Sequence, residues 1–227
     1  MHRGVPSYFA RGLARELTRG GSFLENSVFE TVGFVRTSLA TDVPDLQIHV
    51  LPWAYPSPNQ DAPVRHEVDK RAALTLMSSL IYPRSRGTVR LASADPTAAP
   101  LIDPNFLAEP EDSRTLVEGI ELIREAMRQP GIAGDVKFER SPGANPKADR
   151  AELLEEIKNR ATTVYHPAGS CRMGNDERAV VDPELKVRGV DGLRVADASV
   201  MPTVTGGNTN APAMMIGERC AELMATS

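Results

Sequence analysis

Val164-Tyr165-His166-Pro167-Ala168-Gly169-Ser170-Cys171-Arg172-Met173-Gly174 introduces the unit around which the rest of the chain is organised. Proline directly after His166 restricts the backbone of that histidine, and Gly169 allows a sharp path beyond it. Downstream, Leu185–Val190 reads as a short strand, Asp191-Gly192 as a tight turn and Leu193–Asp197 as a second strand. The chain then loops through Met201-Pro202 and Gly206-Gly207 into a final helix opened by Ala211-Pro212. Proline is tolerated in a first helical turn, and Asn210 stands where an N-cap is expected. Met215, Ile216, Cys220, Leu223 and Met224 give that helix a broad apolar face.

Working outward, the clearest strand is Leu46–Leu51, bracketed by Pro44 and Pro52. Leu46, Ile48 and Val50 alternate with Gln47 and His49, which places His49 on the polar phase as a sheet-surface residue. Phe29–Leu39 is expected to hold another strand, and the apolar run Ala72–Ile81 is open between strand and helix, with Leu74, Leu76, Ser78 and Leu80 fitting period two. A hairpin-like turn at Pro83–Gly87 leads into a strand at Thr88–Ser93, followed by an irregular passage around Leu101-Ile102. Leu116, Ile120, Ile123 and Met127 form the stripe of a helix starting near Ser113 and closed by Pro130-Gly131. Ala151–Asn159 is a further helix with Leu154 and Ile157 inward, preceded by a loop over Arg140–Asp149. Near the start, Phe9, Leu13 and Leu17 mark a short amphipathic helix stopped by Gly20-Gly21. The sum is an α+β fold, an antiparallel sheet with packed helices and a C-terminal strand-loop-helix.

The 227 residues are enough for one or two domains with a sizeable core. A formal charge of -4 supplies no long-range attraction for nucleic acid. No apolar run reaches the roughly 20 residues of a membrane helix, and no signal-peptide core is visible, so a cytoplasmic location is expected. With 18 prolines the chain is rich in connections between short elements. Cys171 and Cys220 are expected to be free thiols, Cys220 as a small core residue.

Chemistry is concentrated in the last quarter. An imidazole exchanges a proton near neutral pH, which suits His166 to acid–base work, although a lone histidine is more often structural. Asn208 sits close to a helix start, where unpaired N–H groups and positive potential gather. Such an end can stabilise charge at the N1/C2 carbonyl edge of a flavin, and a phosphate or carboxylate suits it equally. Asp197 closes the second short strand, as a turn aspartate or beside a cofactor. Gly-x-Gly-x-x-Gly after an apolar strand, a phosphate-binding loop, a Gly-x-Ser-x-Gly elbow and metal-ligand spacings are all missing from the sequence.

Together with Gly192-Leu193-Arg194-Val195-Ala196-Asp197-Ala198-Ser199-Val200-Met201-Pro202 and Gly206-Gly207-Asn208-Thr209-Asn210-Ala211-Pro212, the opening stretch resembles the C-terminal signature of glucose-methanol-choline oxidoreductases. The choline dehydrogenase-like side of the family is the nearer one. Pro83–Pro96 and Leu101–Phe106 resemble its substrate domain, and the similarity runs over roughly residues 30 to 225. The resemblance implies an FAD-dependent enzyme that moves hydride from an alcohol carbon onto flavin. His166 matches the active-site histidine and Asn208 its partner. Asp197 and Ala198 match residues near the FAD pyrophosphate and ribityl, and Thr209 and Asn210 match the helix entrance beside the isoalloxazine.

Periodicity gives an N-terminal helical segment at 1–28, and the resemblance implies a substrate-binding domain at 29–165 and a segment at 166–227 completing an FAD-binding region. The family's glycine-rich fingerprint lies in an N-terminal region that this chain is expected to lack. Its C-terminal helix would then show apolar surface, and an FAD-binding half would be a separate chain or a missing segment. The competing expectation is a catalytically inactive remnant or interaction module. Residues 56–76 depart from the family pattern, with His66 among crowded charges and expected to face solvent.

Overall fold

The run between Pro44 and Pro52 becomes the middle strand of a three-stranded antiparallel sheet, β1 (Thr31–Val35), β2 (Leu46–Leu51) and β3 (Thr75–Leu80), in that spatial order. The computed structural model describes residues 6–19, 31–54, 73–141 and 149–226. The chain divides into two compact units, Met1–Leu80 with Ser113–Thr162 and Ile81–Asp112 with Thr163–Ser227. The Gly20-Gly21 stop, the crowded passage with His66, and most of the Arg140–Asp149 loop lie outside the described residues.

In the first unit, Leu46 pairs with Val35 on one side and Leu80 on the other. His49 is not a sheet-surface residue: it is only 5% exposed, and Gln47 on the same phase is also buried. Leu46, on the opposite phase, is buried as well. Both faces of β2 are therefore covered, so its polar alternation reports strand geometry but not which face meets water. Ser79, opposite Gln47, shares that buried polar phase.

The long helix, α2 (Pro110–Met127), begins three residues before Ser113, with proline at its first position and Glu111 and Asp112 in its first turn. Its expected stripe is half-buried, and Val117 is its most enclosed apolar side chain. Gly119 faces β2 and β3 so closely that an added Cβ would lie 2.5 Å from Leu46 Cδ2 and 3.1 Å from Ser78 Cβ. Helix α3 (Arg150–Arg160) is capped by Asp149, whose carboxylate accepts from the Ala151 and Glu152 amides. Leu153 and Ile157 are its buried pair, and Leu154 is half-buried instead of inward. Positions four apart share a face, whereas Leu154 lies about 100° round from Leu153. Arg150 forks onto Glu121 at 2.6 and 2.9 Å, joining α3 to α2. Helix α1 (Pro6–Arg19) forms as expected, with Leu13 and Leu17 of its apolar stripe exposed.

The second unit corrects two expectations. The strand after Gly87 is only Thr88–Arg90 (β4), and its partner is β5 (Leu101–Asp103), in the passage read as irregular. The Pro83–Gly87 turn is held by Asp112, which accepts from the Arg84 and Ser85 amides at 2.8 Å and from the Ser85 hydroxyl. Leu185–Val190 and Leu193–Asp197 do not form strands; single bridges, Val181 with Val187 and Lys186 with Arg194, stand in their place. Leu185, Gly189 and Gly192 take left-handed backbone at φ 66°, 78° and 71°, which interrupts an extended run.

The core of this unit is Val181, Leu185, Val200, Met201, Ile216 and Cys220, the last two from α4 (Asn210–Ala225). Both cysteines are free thiols. Only part of the broad apolar face expected of α4 is enclosed, since Met215 and Met224 are exposed, and Met214 beside them is exposed as well. Among the described residues, no helix is long and apolar enough to cross a membrane, and no cluster of potential metal ligands occurs.

Arg172 and Asp176 staple the turn ahead of Ala179 through two contacts of 2.5 and 2.9 Å. The Arg172 guanidinium, helped by the Arg178 amide, holds the Asp176 carboxyl well below the usual range. A depressed folded-state value stabilises the fold above the ordinary aspartate range, and that contribution is lost as pH falls through the folded value. Asp176→Asn should thus lower the urea midpoint slightly at neutral pH and leave no difference from the parent in strong acid. A gap that persists unchanged into acid would show that the staple acts by shape and not by charge.

Candidate active site

Three short pieces of the second unit meet around His166. The first is the chain entering it. Tyr165 is left-handed at φ 65°, uncommon for a bulky residue, and its amide donates to the Thr163 hydroxyl at 2.9 Å. Pro167 restricts His166 from the other side. Gly169, at φ 88°, passes within van der Waals range of the Met201 carbonyl, where a Cβ would stand at 3.3 Å. Cys171 N–H then donates to Ser199 O at 3.0 Å and Met173 N–H to Val200 O at 2.8 Å. The histidine is therefore carried on a segment laced to the buried Val200-Met201 pair.

The second piece is a 3-10 turn, Ala198–Val200, capped by Asp197. The Asp197 carboxylate accepts the Ser199 amide at 2.7 Å. Asp197 is thus the cap of a 3-10 turn where a strand end was expected. Its side chain is exposed and Ala198 is half-buried.

The third piece is the loop into α4. Gly206 packs against Tyr82, and a Cβ there would fall 2.4 Å from the phenol oxygen. Asn208 follows, with its carboxamide nitrogen 2.8 Å from His166 Nε2. Thr209, buried at the N-cap position of α4, places its hydroxyl 3.1 Å from His166 Nδ1. The sequence put Asn210 at that cap; it is instead the first helical residue. Thr209 makes no side-chain cap bond. A cap hydroxyl normally bonds the second or third helical amide, and the third residue here is Pro212, which has none.

Of the sequence-predicted residues, His166, Asn208 and Thr209 converge, with Asn210 beginning the helix beside them. The role of the Thr209 hydroxyl on the imidazole was missed. Its signal was present as a proline three residues after a threonine. The Tyr82–Gly206 contact left no sequence signal, because nothing local links those two positions.

The arrangement can do three things. Its imidazole can hold or pass a proton, its carboxamide can orient a polar substrate atom, and the uncapped start of α4 offers amide donors and positive potential to an electron-rich group.

Comparison with known proteins narrows this chemistry. Residues 83–217 match the family model described as GMC oxidoreductase. The chain is 42% identical over 213 residues to the alcohol dehydrogenase [acceptor] of Pseudomonas putida, covering 94% of this chain and 37% of that protein. It is 43% identical over 194 residues to the oxygen-dependent choline dehydrogenase of Burkholderia ambifaria, covering 86% of this chain and 33% of the relative. Among solved structures, pyridoxine 4-oxidase from Mesorbium loti aligns with a TM-score of 0.76 at 29% identity, over 88% of this chain and 38% of that one. The chain thus spans about a third of the length of these relatives. With 83–217 containing both His166 and Asn208, the chain belongs to the GMC oxidoreductase family.

Proposed function

We propose that this chain is the C-terminal part of an FAD-dependent oxidoreductase that oxidises the CH–OH group of an alcohol, choline-like or another primary alcohol, in the cytoplasm. The observation that carries the reading is the 2.8 Å contact between His166 Nε2 and the Asn208 carboxamide, at the start of an uncapped helix. The names of the relatives, alcohol dehydrogenase and choline dehydrogenase, support an alcohol as substrate.

The residues present fit a flavin on one side only. The first turn of α4 has no side-chain cap, and Asn210 and Ala211 are exposed, so their amides are donors suited to a carbonyl edge. Asp197 and Ala198 would lie toward the ribityl and pyrophosphate, with the Asp197 carboxylate ordering the 3-10 turn. The rest of the cofactor's surface would come from an N-terminal FAD-binding half. When bound, FAD supplies the acceptor for the hydride that leaves the alcohol carbon. With the substrate oxygen displacing the Asn208 N–H from Nε2, His166 would take the hydroxyl proton there, and the freed Asn208 N–H would donate to the substrate oxygen beside it. Residues 29–165 would form the substrate side and 166–227 the flavin side.

A complementation experiment tests this. The isolated chain is expected to purify without flavin colour, whereas co-expression with an N-terminal half bearing the glycine-rich fingerprint yields a yellow complex that alcohol bleaches. Tight flavin on the isolated chain would overturn the need for a second half. A complex that binds flavin but is never bleached by any alcohol would favour the interaction-module reading, for which the exposed Met214, Met215 and Met224 would form the docking face.

A further inference from the structure

We propose that Thr209 is a positioning residue that fixes His166 in the Nδ1–H tautomer and so leaves Nε2 as its proton-accepting nitrogen. The inference rests on the role proposed for His166, but its geometry stands without a cofactor. A carboxamide nitrogen carries two donors and no acceptor, so at 2.8 Å the His166 Nε2 must accept from Asn208. In a neutral imidazole the proton then sits on Nδ1, where Thr209 Oγ1, 3.1 Å away, receives it. The Thr209 backbone N–H also lies 3.5 Å from Nδ1, a contact that would need the opposite tautomer. At that outer limit it is far weaker than the shorter Asn208 contact.

Two features of the sequence make this hydroxyl available. Thr209 occupies a cap position, where a hydroxyl would ordinarily turn to the amides of the first helical turn. Pro212 removes the third of those amides, and the side chain turns away from the helix to the imidazole. Burial then closes the alternatives, since Thr209 is 6% exposed and a hydroxyl at that depth needs a partner. The contact also survives proton uptake, because Nδ1 remains a donor whether the ring is neutral or charged. One residue thereby holds the ring's orientation through both halves of a proton transfer.

The experiment is a comparison of Thr209→Val with Thr209→Ser. In the nitrogen-15-labelled, flavin-free chain, two-bond proton–nitrogen spectra report the tautomer of His166, assigned by the signals lost in His166→Gln. The parent and Thr209→Ser are expected to show neutral His166 mainly as Nδ1–H, whereas Thr209→Val should gain a clear Nε2–H fraction, because Nδ1 then meets only the backbone N–H of residue 209 and the Asn208 carboxamide can turn its oxygen toward Nε2. In the flavin-loaded complex, Thr209→Val should lower kcat roughly tenfold with little change in KM, and Thr209→Ser should restore it. An Nε2–H tautomer in the parent, or an unchanged Nδ1–H tautomer in Thr209→Val, overturns the inference. The tautomer is read without turnover, so full activity of His166→Ala would remove the proposed reaction and leave this result to be judged separately.

Discussion

In the flavin-loaded enzyme, His166→Ala is expected to lower kcat/KM for the alcohol by about 10²- to 10⁴-fold, the usual worth of a positioned acid–base group. The loss should fall on kcat, because in the proposed reaction the imidazole would act on the hydroxyl proton and not on the rest of the substrate. Rapid mixing of enzyme with alcohol, followed by flavin bleaching, measures the reductive step directly. The substitution should leave the fold alone, since His166 is only half-buried and its segment is anchored by the Cys171 and Met173 amides. Asn208→Ala should slow the same step less, as it removes an orienting group and not the base. Undiminished bleaching in His166→Ala would end the proposed mechanism.

The second large effect concerns stability. Gly87 lies where β4 begins, and a Cβ placed on it would fall 2.1 Å from the Asp103 carbonyl oxygen and 2.7 Å from the Pro104 carbonyl carbon. Both obstacles are backbone, so no rotamer change relieves them. Gly87→Ala should therefore cost about 3 kcal/mol, the upper end of overpacking penalties. For a chain of this size that lowers the melting midpoint by roughly 6–12 °C. The pairing of Thr88 with Asp103 would be the first casualty. Circular dichroism melting checks it, with Gly134→Ala as a control where a Cβ meets nothing within 4 Å. Equal melting of the two variants would refute the tight passage at Gly87.

Legibility in the sequence followed the range of the forces involved. Local rules sufficed for β2 between its prolines, for α2 with its stripe, and for the existence of α3, expected from Ala151 and found from Arg150. They failed where the deciding partner lay far along the chain. Nothing near His49 announces that the polar phase of β2 is covered. Thr88–Arg90 gives no hint that it pairs across the Asp95 turn with Leu101–Asp103. Leu185–Val195 alternates like a strand, yet three left-handed residues divide it, one of them a leucine that no propensity rule would place there. At the site, the resemblance singled out His166, Asn208 and Thr209, and only the structure brings them together. The Thr209 hydroxyl contact was missed because the cap was assigned to Asn210 by residue type and not by where the helix begins or whether it offers an amide to cap.

The unit that carries His166 and Asn208 is sewn from two distant stretches, Ile81–Asp112 and Thr163–Ser227, with all of Ser113–Thr162 looped out between them. Closing so long a loop is entropically unfavourable before any contact rewards it, and non-local pairings of this kind slow folding. Synthesis proceeds from the amino end, so β4 and β5 emerge well before Thr163–Ser227 is available to complete their unit. During translation the first of these stretches must wait for the second, about fifty residues later, before the unit can close. Expression yield should accordingly respond more to growth temperature than the finished protein's melting point would suggest.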